Sequence, residues 1–116
     1  MSIQVYGIHT CGTCKKALQW LEAQEIKHEF INTKEQPPTE EQIGSWIKIL
    51  GNRSMRNISG QSYRALDEIK QTWSDAEWVK AFSEDIMLLK RPLFTKDGIA
   101  VAVGFRDIAE IKEKLT

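Results

Sequence analysis

His9-Thr10-Cys11-Gly12-Thr13-Cys14-Lys15-Lys16-Ala17 carries both cysteines of the chain and separates two runs of different period. Upstream, Ile3, Val5, Tyr6 and Ile8 read as a short buried strand over about residues 3–6. Downstream, Ala17, Leu18, Leu21 and Ala23 recur at helical spacing, which predicts a helix over about residues 13–24. Cys11 therefore falls where a strand hands over to a helix. Helix N-termini present unpaired backbone N–H groups and the positive end of the helix dipole, and both favour an anion. A thiolate is an anion, and Lys15 and Lys16 add positive charge one turn on. A free cysteine titrates near pH 8.5, and such a position lowers that to about 3.5–7.5. Cys11 is the expected reactive thiolate. Cys14, three residues later, shares the core side of the helix with Ala17, Leu18 and Leu21 and is the expected resolving thiol.

Other readings of a Cys-x-x-Cys pair are weaker here. A zinc site wants about four ligands. His9 and His28 are the only further soft ligands, and no second Cys-x-x-Cys exists, so no metal is expected. Two structural cysteines without chemistry fit less well, because this motif between strand and helix reads as redox-active. Met1-Ser2-Ile3-Gln4 leads straight into the strand, with no signal-peptide pattern, and a reducing cytoplasm is expected.

The rest of the chain reads as one domain, residues 1–116. Lysine plus arginine and aspartate plus glutamate both number 16, so the basic excess of a nucleic-acid-binding domain is missing. No apolar run approaches the roughly 20 residues of a membrane span. Residues 28–32 read as a second strand, and strand, helix, strand makes a parallel βαβ unit. After Pro37-Pro38, Thr39 and Gln42 form a capping-box pattern opening a helix to about Leu50, with Ile43, Trp46, Ile47 and Leu50 as its stripe. Residues 53–60 look irregular, and residues 61–69 read as one short helix with Tyr63 and Leu66 inward. Ser74 and Glu77 cap a helix holding Trp78, Val79 and Phe82, and residues 86–89 continue as a helical turn. Trp46, Trp73 and Trp78 are expected in the core. Asp97-Gly98 marks a hairpin between residues 93–95 and 99–103, with Val101 and Val103 on one face. Asp107 and Glu110 start a last helix lined by Ile108, Ile111 and Leu115. This β-α-β, helical insertion, β-β-α order is the thioredoxin arrangement: an α/β (α+β mixed) fold with a four-stranded mixed sheet and an all-helical insertion at about residues 39–89. A cis proline at Pro92 would fit it.

Several segments together resemble one known family. Residues 6–17, Asn57-Ile58-Ser59-Gly60-Gln61-Ser62-Tyr63-Arg64-Ala65-Leu66, Leu88-Leu89-Lys90-Arg91-Pro92-Leu93 and Val103-Gly104-Phe105 are collinear with motifs of the arsenate reductase and Spx family, the ArsC-type thioredoxin-fold proteins. The resemblance covers essentially the whole chain. It implies that Cys11 is the nucleophile, forming a thiol–arsenate adduct, and that Arg91 holds the oxyanion with its bidentate fork. It implies a substrate site of Arg91, Thr10, Gly12, Thr13, Pro92, Ser59 and Arg106. No bound cofactor is implied. The expected reductant is glutathione with glutaredoxin, or thioredoxin, acting on a small oxyanion or thiol substrate, and a monomer is expected. The family's arsenate reductases carry a further arginine in the middle motif, where this chain has Ser59. Arg56 or Arg64 could stand in for it in space, and the sequence does not choose. Phosphatase-like arsenate reductases need an arginine six residues after the cysteine, where this chain has Ala17. The Gly12-Thr13 pair and the lack of a Trp before Cys11 also set the chain apart from thioredoxin itself. The Spx branch implies a rival function: a redox-sensing regulator that binds RNA polymerase, not nucleic acid directly, through a Cys11–Cys14 switch.

Overall fold

A computed structural model describes residues 2–116. Strand β1 (Ile3–Gly7) leads into helix α1 (Gly12–Ala23) and returns to strand β2 (Glu29–Asn32). Three helices follow: α2 (Glu40–Leu50), the single turn α3 (Gln61–Arg64) and α4 (Asp75–Glu84). Strands β3 (Leu93–Lys96) and β4 (Ile99–Val103) and helix α5 (Ile108–Leu115) complete the chain. The sheet order is β2-β1-β3-β4, with β1 parallel to β2 and antiparallel to β3. This is the thioredoxin-like arrangement, with the helical segments standing between β2 and β3. No helix among the described residues is long and apolar enough to cross a membrane.

Both faces of the sheet are covered, so neighbouring residues of β1 can both be apolar. Ile3 and Val5 pack with Phe94 on one face, under α1 and α5, in a cluster with Ala17, Leu21, Ile111 and Leu115. Tyr6 and Leu93 face the other way, into a cluster with Trp46 of α2 and Trp78 and Phe82 of α4. Trp46 lies 4.8 Å from the Tyr6 ring, and Trp78 packs against Trp73 and Phe82. Trp46 and Trp78 are thus core residues; Trp73 is half-buried at the edge of the same cluster.

The helix starts follow local chemistry. Thr39 with Gln42 and Ser74 with Glu77 form complete capping boxes. At Asp107 only half of that pattern is made: its carboxylate accepts from the Glu110 N–H. Three readings are corrected. Residues 61–69 are not one helix, because Asp67 is extended and caps a separate 3₁₀ turn (Glu68–Thr72), leaving Ile69 exposed. Ile108 does not line the core; helical side chains slant toward the N-terminus, so the first residue reaches past the helix end. Val101 and Val103 do not share a face. A bulge pairs Phe94 with Ala102 and Thr95 with Ala100, skipping Val101. Val101 then joins the cluster under α1 and α5, and Val103 the opposite one.

Candidate active site

Cys11 is the N-cap residue of α1, in extended conformation with φ −82° and ψ 120°. Its carbonyl accepts the first helical hydrogen bond from Lys15, and its own N–H donates back to Ile8 across the turn at 3.2 Å. The strand end and the helix start thus hold the sulfur at the α1 N-terminus. It makes no full cap hydrogen bond, yet the surroundings still favour its anion. Partial burial alone would raise the thiol. The N–H of Cys14, the Cys14 thiol, the N–H of Thr13 and Arg91 outweigh that and bring Cys11 below the ordinary cysteine value.

Cys14 is the opposite case. It is 0% exposed, with its sulfur seated against the backbone of Gly7; a Cβ added there would lie 2.5 Å from the Cys14 sulfur. Burial pushes its thiol up to about 11, a contact with Ile8 backbone works against this, and the neighbouring Cys11 sulfur adds to the rise. The pair therefore consists of one acidic, accessible thiol and one buried, protonated thiol.

That asymmetry predicts selective alkylation. At pH 7 a thiol titrating near 11 is ionised to roughly one part in 10⁴. Iodoacetamide at pH 7 is expected to label Cys11 and spare Cys14. The Cys11 rate should rise with pH and level off below the ordinary cysteine range. Mass mapping of the labelled peptide checks this, and equal labelling of both thiols would contradict it.

Arg91 stands two residues before the start of β3, and the Arg91–Pro92 peptide is cis. One guanidinium nitrogen donates to the Leu89 carbonyl at 3.2 Å, while the buried Nε has no partner. Cys11, Thr13 and Arg91 open onto a groove of about 660 Å³. Its remaining charged lining residues are Arg53, Arg56, Lys90 and Arg106, and no carboxylate lines it. Ser59 lines it as well.

Arg56 is the cation the sequence leaves ambiguous. It is only 8% exposed. Its guanidinium lies 4.2 Å over the Trp78 ring, and one Nη donates to the Asn52 side chain. The backbone around it is fixed by N–H donation from Asn57 to Leu88 and from Lys90 to Met55. Arg64 is exposed on α3 and does not line the groove. Of the two, Arg56 is the one that lines the groove. Thr10 and Gly12 are exposed beside Cys11 but outside the groove wall, and Pro92 is buried behind Arg91. Sequence reasoning assigned nothing to Arg53 and no role to Lys90. The only signal for Lys90 was its place beside Arg91, and Arg53 had none. Among the described residues no group of three or more His, Cys, Asp or Glu side chains could hold a metal ion.

Residues 6–113 match the ArsC family. The chain is 37% identical over 111 residues to the uncharacterized protein YusI of Bacillus subtilis, covering 92% of this chain and 93% of that one. Among solved structures it superposes on a possible arsenate reductase from Streptococcus mutans with TM-score 0.86 and 32% identity, covering 96% of this chain and 97% of the other. An arsenate reductase (ArsC) related protein from Brucella melitensis superposes with TM-score 0.77 and 29% identity, covering 97% and 93% of the two chains. Family match, fold and whole-length coverage lead to one conclusion: the chain belongs to the ArsC family.

Proposed function

We propose that this protein is a thiol-dependent reductase of the arsenate reductase type. The observation that carries the reading is the acidic Cys11, paired with a buried protonated Cys14, at a groove whose charged lining residues are all cations. Cys11 attacks arsenate or a related anionic substrate. On arsenate, the thiolate displaces one hydroxyl, which takes a proton and leaves as water, and a Cys11–S–As(V) adduct forms. A second thiol then attacks the Cys11 sulfur. The sulfur–arsenic bond breaks with its electron pair on arsenic, As(III) departs as arsenite, and the two sulfurs become a disulfide.

Arg91 binds the oxyanion and keeps Cys11 ionised. Thr13, Ser59 and Arg106 line the same groove, and Arg56 supplies a second guanidinium, a buried one. The resolving thiol is Cys14 or an external one such as glutathione. Adduct formation removes the Cys11 negative charge that helps hold Cys14 protonated, so the first step makes Cys14 the better nucleophile. Glutathione with glutaredoxin, or thioredoxin, returns the protein to its dithiol form.

Arsenite release from arsenate by the purified protein tests the reading. One reaction contains glutathione and glutaredoxin, the other thioredoxin with its reductase. Turnover is expected in one of them, and the productive mixture names the electron donor. No turnover in either, with a Cys11–Cys14 disulfide still forming under peroxide, would replace catalysis by a redox switch. RNA polymerase pull-down with oxidised and reduced protein would then be the decisive comparison.

A further inference from the structure

Gly7 ends β1, paired with Asn32 of β2, and it is buried. Its backbone does not ask for glycine: the glycines at positive φ among the described residues are Gly51, Gly98 and Gly104. A glycine costs a strand conformational entropy and packing, and within a sheet it often marks a place where another group comes close. Here that group is the Cys14 sulfur. A Cβ added at Gly7 would stand 2.5 Å from it, against 3.4–4 Å for ordinary contact. The next atoms, Phe30 Cε1 at 3.4 Å and Cys14 Cβ at 3.5 Å, are at ordinary distance, so the conflict is with the sulfur alone.

The backbones on either side are fixed. The Gly7 carbonyl accepts from the Thr33 N–H at 2.9 Å and from the Thr33 hydroxyl at 3.4 Å, and Thr33 is buried. β1 itself is held between β2 and β3. Cys14 sits in the first turn of α1, whose Ala17 and Leu21 are anchored in the core. A side chain at position 7 would therefore be met by rotation of the Cys14 sulfur, not by retreat of the strand or the helix.

We propose that Gly7 is a positioning residue for Cys14: the space it leaves seats the Cys14 sulfur and favours the dithiol form of the pair over the Cys11–Cys14 disulfide. This rests on the reading of Cys11 as nucleophile and Cys14 as resolving thiol. Both thiols are free in this structure. A disulfide closes two sulfurs to about 2.05 Å, which draws the Cys14 sulfur off Gly7 toward Cys11. Until then the seat holds Cys14 back and leaves the Cys11 thiolate open to substrate. Once Cys11 carries an adduct, the Cys14 thiol gives its proton to solvent and its sulfur bonds to the Cys11 sulfur. The bond from Cys11 to the substrate atom breaks with its electron pair on the leaving group.

The test equilibrates wild type and Gly7→Ala with 2-mercaptoethanol and its disulfide, both uncharged, and reads the ratio of dithiol to disulfide protein by mass after acid quenching. In forming its disulfide the protein gives two electrons and two protons to the reagent disulfide, which becomes two thiols. A methyl at position 7 crowds the dithiol form and spares the disulfide form. The equilibrium is expected to move toward the disulfide by at least about tenfold, within what overpacking a filled core costs. A loss of stability common to both forms would leave the ratio unmoved; an unmoved ratio, or one moved toward the dithiol, would overturn the proposal. Urea unfolding of the reduced proteins gives a second reading. Gly7→Ala should lower the midpoint in the wild-type background and hardly lower it in Cys14→Ala, where no sulfur meets the methyl. An equal loss in both backgrounds would overturn the proposal. Should Gly7→Ala alone not fold, its combination with Cys14→Ala is expected to fold, and failure of that protein to fold would overturn the proposal as well. Wild type that forms no Cys11–Cys14 disulfide even in the reagent disulfide alone would remove the resolving role of Cys14, and this proposal with it. Wild type that forms it while Gly7→Ala shifts nothing would remove the role of Gly7 only.

Discussion

Cys11→Ser is expected to lower reductive turnover by roughly 10³-fold or more while leaving the fold at least as stable. The two effects have separate causes. Catalysis needs an anion at this position, and a serine hydroxyl stays protonated where the Cys11 thiol is held below its ordinary value. Stability runs the other way. Cys11 occupies the N-cap of α1 without a cap hydrogen bond, and serine is among the best residues there because its oxygen accepts from the helix's first N–H groups. The variant should gain about 0.5–1 kcal/mol near pH 6 in urea unfolding. The gain has a pH dependence of known sign. A thiol whose folded value is depressed stabilises the fold above its unfolded value, and that contribution is lost as pH falls through the folded value. The serine variant lacks this term, so its advantage should shrink as pH rises from 6 toward 9. Cys14, raised by burial in both proteins, affects the two curves alike to first order. A Cys11→Ser protein that turns over arsenate normally would remove Cys11 from the mechanism. One that unfolds more easily at pH 6 would show that the thiol, not the N-cap position, stabilises this turn.

The loop that holds Cys11 was legible because its signals are local. A strand period, a cysteine and a helical period follow one another without a gap, and the burial of Cys14 follows from its spacing to Ala17 and Leu21. Capping boxes at Thr39 and Ser74 were legible for the same reason. The misread features depend on pairing that no single segment encodes. The β4 bulge exists only against Phe94 and Thr95 of β3, so alternation in Val101 and Val103 pointed to a shared face they do not have. The break at Asp67 turns on its side chain capping Ile69, where the helical pattern of 61–69 looked continuous. Charge shows the widest gap. A chain with equal numbers of acidic and basic residues offers no hint of a positive site. Folding gathers Arg53 and Arg56 from the stretch after α2, Lys90 and Arg91 from the approach to β3, and Arg106 from the turn after β4 around one groove, with the carboxylates elsewhere. Long-range β3 pairing makes that arrangement, and composition averages it away.

Arg91→Ala is expected to cost roughly 10²–10³-fold in kcat/KM and to move the Cys11 pH profile upward. The first number is what removing one anion-stabilising donor from a reacting centre typically costs. The second follows from the contacts of the thiol, since Arg91 is one of the groups holding Cys11 below its ordinary value against the effect of burial. With the guanidinium gone, the iodoacetamide profile should inflect at higher pH, with the rate at pH 6 falling more than the rate at pH 9. A purely structural loss would lower both rates together or shift the unfolding midpoint without moving the inflection. Arg91→Lys separates charge from shape. The ammonium still supports the thiolate, so the inflection should stay near that of the wild type, but a single point charge replaces a planar fork. It also gives up the geometry in which one guanidinium nitrogen donates to the Leu89 carbonyl. Most of the kcat/KM loss should therefore remain in Arg91→Lys. If lysine restored the rate as fully as the profile, bidentate binding would be excluded, and Arg91 would act on the thiol alone.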